Sequence, residues 1–152
     1  MARPKKDQKA EPKPKVVHSF ELDDSLDELA KEVMEAEKLD LHPAKLKLIK
    51  EYPYISKKTI GKCIKASKEL KFFGQFDYLI KFSGDVWDML DDKTRYILMY
   101  HELLHAYPKQ NDKTGEVDYK IMDHNVKDFN KIISKFGIDW FNNLKTITES
   151  VS

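Results

Sequence analysis

The clearest helical pattern in the chain begins after residue 90. Asp91 and Asp92 favour a helix start, because acidic side chains stabilise the exposed N–H groups of a first turn. Apolar residues then recur every three or four positions until Pro108, which is expected to end the helix just past residue 105. The main stripe comprises Tyr96, Met99, Tyr100, Leu103 and Tyr107, and the neighbouring strip comprises Ile97, His101, Leu104 and His105. This pattern predicts a helix that is packed on one side and open on the other.

Three segments that precede this helix have the features of strands. Residues 76–82 alternate between apolar and polar side chains most clearly, and this strand is expected to end at Gly84. Residues 45–49 also alternate, and residues 62–67 resemble a further strand in which Cys63 is expected to be a small core residue.

Two further helices are predicted on either side of this central part. The segment 25–28 has the form of a capping box, and apolar spacing after it predicts a helix from about Leu26 to Leu39. Asp123 has the character of an N-cap for a later helix that ends at Gly137, and a short closing helix is expected around Trp140 and Phe141. The fold class predicted is therefore α+β: a small sheet of about three strands packed on three to four helices.

Composition indicates one globular domain over residues 17–152. The chain has 152 residues with 41% hydrophobic content, enough to bury a core. No apolar run approaches the roughly 20 residues of a membrane span, and no secretory signal peptide is evident near residue 1. A single cysteine excludes an intrachain disulfide. We therefore expect a cytoplasmic protein.

Residues 1–16 form a separate basic arm. Six lysines and arginines stand against two acids, three prolines are interspersed, and nothing apolar occurs between residue 11 and Val16, so we expect disorder. Such an arm could bind phosphate backbones without reading sequence, although it contains no aromatic side chain that could stack on bases. A solvated tail is the favoured interpretation, with weak nucleic-acid binding as its alternative.

The sequence H-E-L-L-H at residues 101–105 is the strongest indication of chemistry. Two histidines four residues apart leave the same face of a helix, about 6 Å apart along its axis, and can reach one zinc ion. Glu102 lies beside the first histidine, where it can take a proton from a water bound at the metal. These residue types at this spacing are typical of metal-dependent amide hydrolysis.

A catalytic zinc ion needs a third protein ligand, and His124 is the favoured candidate. It is expected in the first turn of the helix that follows the H-E-L-L-H helix, after a loop long enough to fold back. Zinc also accepts carboxylate oxygens, so Glu116, Asp118 and Asp128 remain alternatives.

The order of these elements resembles the putative phage metallopeptidase family over residues 76–140. The matching features are a strand, a short W-x-x-L helix, the H-E-L-L-H helix and a later D-H-x-x-x-D-F segment. The stretch 101–107 with the later histidine is also similar to the SprT-like metalloproteases, although Asn125 departs from both patterns. The resemblance implies a small zincin whose zinc site lies between the H-E-L-L-H helix and the next one. It further implies that Glu102 is the base and that His101, His105 and His124 bind the metal.

Two classes of function remain open at this point. The first is a zinc-dependent metallopeptidase that hydrolyses peptide bonds in a protein or peptide substrate, with Glu102 as general base. The second is a catalytically silent zincin-fold binding or structural module, associated with nucleic acid or encoded by a phage. Retention of Glu102 favours the first, because a purely structural zinc site does not use a general base.

Overall fold

A computed structural model describes residues 15–122 of the chain. Four helices and six strands occur within this range. In chain order they are β1 (Ser19–Glu21), α1 (Asp24–Ala36), β2 (Leu46–Tyr52), β3 (Gly61–Lys65), α2 (Lys68–Gly74), β4 (Tyr78–Ser83), α3 (Gly84–Met89), α4 (Asp92–His105), β5 (Ala106–Gln110) and β6 (Val117–Ile121).

Four of the strands form one mixed sheet in the order β1-β2-β4-β3. Strands β2 and β4 are parallel, whereas β1 pairs antiparallel with β2 and β3 pairs antiparallel with β4. The remaining strands, β5 and β6, form an antiparallel hairpin of their own. The predicted α+β class is therefore confirmed, with one more strand in the main sheet than expected.

Alternate residues of the sheet face a core that contains helices α1 and α4. Leu48, Ile80 and Cys63 lie side by side across β2, β4 and β3, and all three are buried. Helix α1 contributes Leu26, Ala30 and Val33 to the same core. The prediction that Cys63 is a buried strand residue is confirmed.

The start of α1 differs from the predicted capping box. Its N-cap is Asp23, whose carboxylate accepts hydrogen bonds from the backbone N–H and the hydroxyl of Ser25. Ser25 therefore lies in the first turn and is itself held by the cap. An aspartate is an equally good N-cap as serine, so sequence pattern alone does not separate the two positions.

Helix α4 begins as predicted, with the Asp91 side chain accepting from the backbone N–H of Thr94. The predicted end of the helix at the H-E-L-L-H motif is confirmed, because α4 ends at His105. The prediction that Tyr107 belongs to the helical stripe is wrong, since Tyr107 and Pro108 lie within β5. A proline disfavours helical backbone at the residue before it, so Tyr107 is already extended. The segment expected to be a loop between residues 105 and 124 therefore contains the β5–β6 hairpin.

Several predictions fall on residues outside the described range. They concern most of the basic arm (residues 1–14), the helix expected from Asp123 with its ligand candidates His124 and Asp128, and the closing helix near Trp140 and Phe141. Within residues 15–122, no helix combines the length and the apolar character that crossing a membrane requires.

Candidate metal centre

Two histidines on the last turn and a half of α4 point at a common centre. The Nε2 atoms of His101 and His105 are 3.4 Å apart, and both residues are half-buried. Their rings meet edge to face with centroids 5.0 Å apart. The spacing arises because residues i and i+4 of a helix lie above one another on one face.

The separation of the two nitrogens suits a tetrahedral zinc ion. Histidine nitrogens bound at about 2.0–2.1 Å with tetrahedral angles lie roughly 3.3–3.4 Å apart. The ligand atoms of His101, Glu102 and His105 all lie within 4.8 Å of one another. Within residues 15–122 this is the only group of three or more such residues with that geometry. The spacing of the two donor nitrogens therefore fits a zinc ion.

The main chain after the helix orients the ring of His105. The Nδ1 atom of His105 is hydrogen-bonded to the carbonyl oxygen of Met122, and the N–H of Met122 donates to the His105 carbonyl at 2.7 Å. A carbonyl can only accept, so Nδ1 carries the proton. Nε2 is then left with its lone pair directed at His101. Metal-binding histidines commonly have such an outer partner on the other ring nitrogen.

Glu102 is buried beside the histidine pair. Its residue exposure is 4%, and its Oε1 atom lies 4.0 Å from Nε2 of His101. Its other oxygen, Oε2, is buried and has no hydrogen-bond partner among the described residues. Burial raises the pKa of Glu102 to about 8. A divalent cation nearby would lower this pKa again, because opposite charge favours the ionised form.

Strand β3 forms the wall against which Glu102 packs. A methyl group added to Gly61 would come within 3.1 Å of Cγ and Cδ of Glu102, and within 3.2 Å of its Oε1. Cys63, two residues along the same strand, is also close: burial raises its thiol pKa to about 12, and the charge of Glu102 adds to the rise. The absence of a side chain at Gly61 is therefore what leaves room for the carboxylate.

The structure brings together three of the four residues predicted for the site. His101, Glu102 and His105 share one centre, whereas His124 lies outside the described residues. Of the alternative ligands, Glu116 and Asp118 are exposed and do not join the group.

Sequence reasoning did not identify two contributors to the site, Gly61 and the Met122 carbonyl. Neither has a sequence signal, because one acts through a missing side chain and the other through its backbone.

Comparison with known proteins gives one finding about family. The family model described as "Putative phage metallopeptidase" matches residues 15–151. No curated protein and no solved structure matches the chain. The similarity to SprT-like metalloproteases stays a prediction from sequence.

Proposed function

Because the chain belongs to the putative phage metallopeptidase family, we propose that it is a zinc-dependent peptidase with Glu102 as its general base. A metallopeptidase family implies a metal ion. The observation that carries the proposal is a pair of histidine nitrogens 3.4 Å apart, beside a buried carboxylate with one oxygen unpaired among the described residues. A structural zinc site, which is closed by four ligands, does not use such a carboxylate.

The donor atoms favour zinc over the common alkaline-earth cations. Imidazole nitrogen suits zinc and several other transition metals, whereas calcium and magnesium prefer oxygen ligands. His101 and His105 each offer an Nε2 atom on the same side of α4. Two histidine ligands are compatible with the three-ligand sets of catalytic zinc sites.

His124 is the third ligand in this proposal. It follows Met122 by two residues, so the fully extended chain allows at most about 7 Å between their Cα atoms. Met122 is itself hydrogen-bonded to His105 through both its N–H and its carbonyl. The segment that leads to His124 therefore starts next to His105 of α4. Asp128 is the remaining acidic alternative, since Glu116 and Asp118 do not join the histidine group.

The proposed chemistry divides between the metal and Glu102. When bound, zinc supplies Lewis acidity that polarises the substrate carbonyl and acidifies a water molecule. Glu102 takes the proton from the attacking water at its carboxylate, and passes it to the amine nitrogen as the peptide bond breaks. Gly61 packs closely against this side chain, and the low exposure of Glu102 shows that bulk water is largely excluded from it.

The substrate is proposed to be an extended segment of protein or peptide. Strand β3 is the last strand in the order of the main sheet, so within the described residues one of its edges has no partner in that sheet. Its first residue, Gly61, lies against Glu102. An extended peptide that adds to such an edge would be held by main-chain hydrogen bonds with little demand on its sequence.

Metal content of the purified full-length protein tests the ligand set. We expect one zinc ion per chain by elemental analysis, and loss of zinc in His101→Ala, His105→Ala and His124→Ala. His42→Ala is the matched control, because His42 is exposed and lies outside the group. Full zinc occupancy in His124→Ala would move the third ligand to an acid such as Asp128.

Hydrolysis of an unstructured protein substrate tests the activity. We expect cleavage by the zinc-loaded protein, loss of cleavage after chelation, and recovery on adding zinc back. Zinc binding without any cleavage would instead support the catalytically silent binding module.

A further inference from the structure

The β5–β6 hairpin that follows α4 brings the chain back to the end of that helix. Strand β5 begins at Ala106, directly after His105, and Ala106 pairs with Ile121 of β6. Met122, the next residue, is thereby placed opposite His105 and bonds to it twice. The position of the hairpin therefore decides where the acceptor for Nδ1 of His105 lies.

A hairpin of two strands is only marginally stable without other packing. Here one buried side chain of the main sheet forms a hydrogen bond with the hairpin. The hydroxyl of Tyr78 donates to the carbonyl oxygen of Lys120 at 2.7 Å, and Tyr78 is fully buried at the start of the central strand β4. Lys120 pairs with Tyr107 across the hairpin, and the backbone of Tyr107 also interacts with the Tyr78 hydroxyl. The hydroxyl therefore lies where both strands of the hairpin meet.

Ring contacts strengthen the same junction. The rings of Tyr78 and Tyr119 meet edge to face with centroids 5.9 Å apart. The Nζ atom of Lys71 lies 4.5 Å from the centroid of the Tyr119 ring, and it is held by Asp77 at 2.9 Å. Helix α2 and strand β4 thus both contact the second strand of the hairpin.

We propose that Tyr78 is a positioning residue for the metal centre. Its hydroxyl ties the hairpin to the sheet, and so holds the Met122 carbonyl where it accepts from His105. The same tie sets the point from which the chain continues to His124. This inference rests on the proposed zinc site. It adds Tyr78, which lies on β4 and is not itself a ligand.

Tyr78→Phe separates the effect of the hydroxyl hydrogen bond to Lys120 from the effect of ring packing. Phenylalanine keeps the aromatic contact with Tyr119 and removes only the hydroxyl. Loss of an outer hydrogen-bond partner of a metal ligand typically costs 10–100-fold in affinity. Because Tyr78 acts one step further out, we expect zinc affinity to fall about tenfold, at the lower end of that range.

Zinc affinity of the full-length protein, measured by competition with a chromophoric chelator, is the test. Tyr96→Phe is the matched control: its hydroxyl also joins two segments, donating from α4 to Glu37, the C-cap residue of α1, at 2.8 Å. We expect Tyr96→Phe to stay within about twofold of the wild type. The visible spectrum of bound Co²⁺ should change in Tyr78→Phe and not in the control, since only the former alters the orientation of His105.

Several results would overturn the inference. Wild-type zinc affinity in Tyr78→Phe would show that the hydroxyl does not act on the site. Equal weakening in both variants would assign the effect to general stability. If Tyr78→Phe does not fold, Tyr119→Leu replaces it, because that variant removes the ring contact and keeps the hydroxyl of Tyr78. We expect near wild-type zinc affinity in Tyr119→Leu, and a roughly tenfold loss there would assign the positioning to ring packing and not to the hydroxyl. A wild-type protein that binds no zinc would instead overturn the proposed function, and the inference with it.

Discussion

Two glutamates in this protein have little exposed surface, but the pKa values of their carboxyl groups are shifted in opposite directions. Glu51, in β2, is 7% exposed, and Glu102, in α4, is 4% exposed. Burial raises the pKa of Glu51, but hydrogen bonds from Lys81 and His18 outweigh it, and the pKa is lowered overall. Burial raises the pKa of Glu102 to about 8.

The difference lies in the depth of the two carboxylates and in their partners, because Glu102 is buried more deeply than Glu51. The oxygens of Glu51 lie 3.0 Å from Nζ of Lys81 and 2.7 Å from Nδ1 of His18. Glu102 has an oxygen without a hydrogen-bond partner among the described residues. A buried carboxylate that serves the fold is paired, because leaving it unpaired costs stability. An incompletely paired one indicates a function that needs a partner supplied from outside, such as a metal ion or a substrate.

Glu102→Gln should have the largest effect on activity. The amide keeps the shape of the side chain but cannot accept a proton, so we expect hydrolysis to fall at least about 10³-fold while zinc remains bound. Cleavage of an unstructured protein and elemental analysis measure the two quantities. Glu51→Gln is the matched control, and we expect it to cleave at near wild-type rate. Equal loss in both variants would remove the functional distinction between the two glutamates.

Glu51→Gln should have the next largest effect, on stability. It removes the charge that faces Lys81 and His18, so we expect a loss of about 1–2 kcal/mol in the free energy of unfolding at neutral pH. The folded pKa of Glu51 is lowered. Its contribution is therefore present above the ordinary pKa of glutamate, about 4.3, and is lost as the pH falls through the lowered value.

Denaturant unfolding at several pH values measures this contribution. We expect the difference in the free energy of unfolding between wild type and Glu51→Gln to become smaller as the pH is lowered. A difference that is independent of pH would show that lost packing, and not the ionised carboxylate, is the cause.

Gly61→Ala should have a smaller effect, confined to Glu102. The added methyl group would come within 3.1 Å of the carboxylate carbon, so the side chain must move by a few tenths of an ångström. We expect hydrolysis to fall about tenfold, with unchanged zinc content, because misplacement of a catalytic group weakens proton transfer. Activity assays and elemental analysis check this. Unchanged activity would mean that the carboxylate tolerates displacement.

Local pattern was sufficient for helix α4, which carries the proposed metal ligands His101 and His105, and for strand β4. The spacing of apolar residues after Asp91 predicted α4, and residues i and i+4 of any helix share a face, so the approach of His101 to His105 followed directly. The alternation of residues 76–82 predicted β4 for the same reason. Each of these inferences needs only residues that are close in sequence.

Elements with little buried surface were missed. Strand β1 has three exposed residues, and it is defined by its pairing with β2, where Phe20 lies opposite Glu51. Helix α2 is seven residues long and none of them is buried, so it is too short for a helical apolar stripe to be recognised in the sequence. The hairpin depends on pairing Ala106 with Ile121 across a turn, which the proline in β5 obscured.

The sequence by itself determined the donor atoms, their helix and the chemistry they can support, because these depend on residue type and helical spacing. Only the tertiary structure decided the surroundings of those atoms. Gly61 makes room for Glu102 from a strand 41 residues earlier in the chain, and Met122 reaches His105 through a hairpin that Tyr78 ties to the sheet. Such contacts depend on how distant segments pack, and no local pattern encodes them.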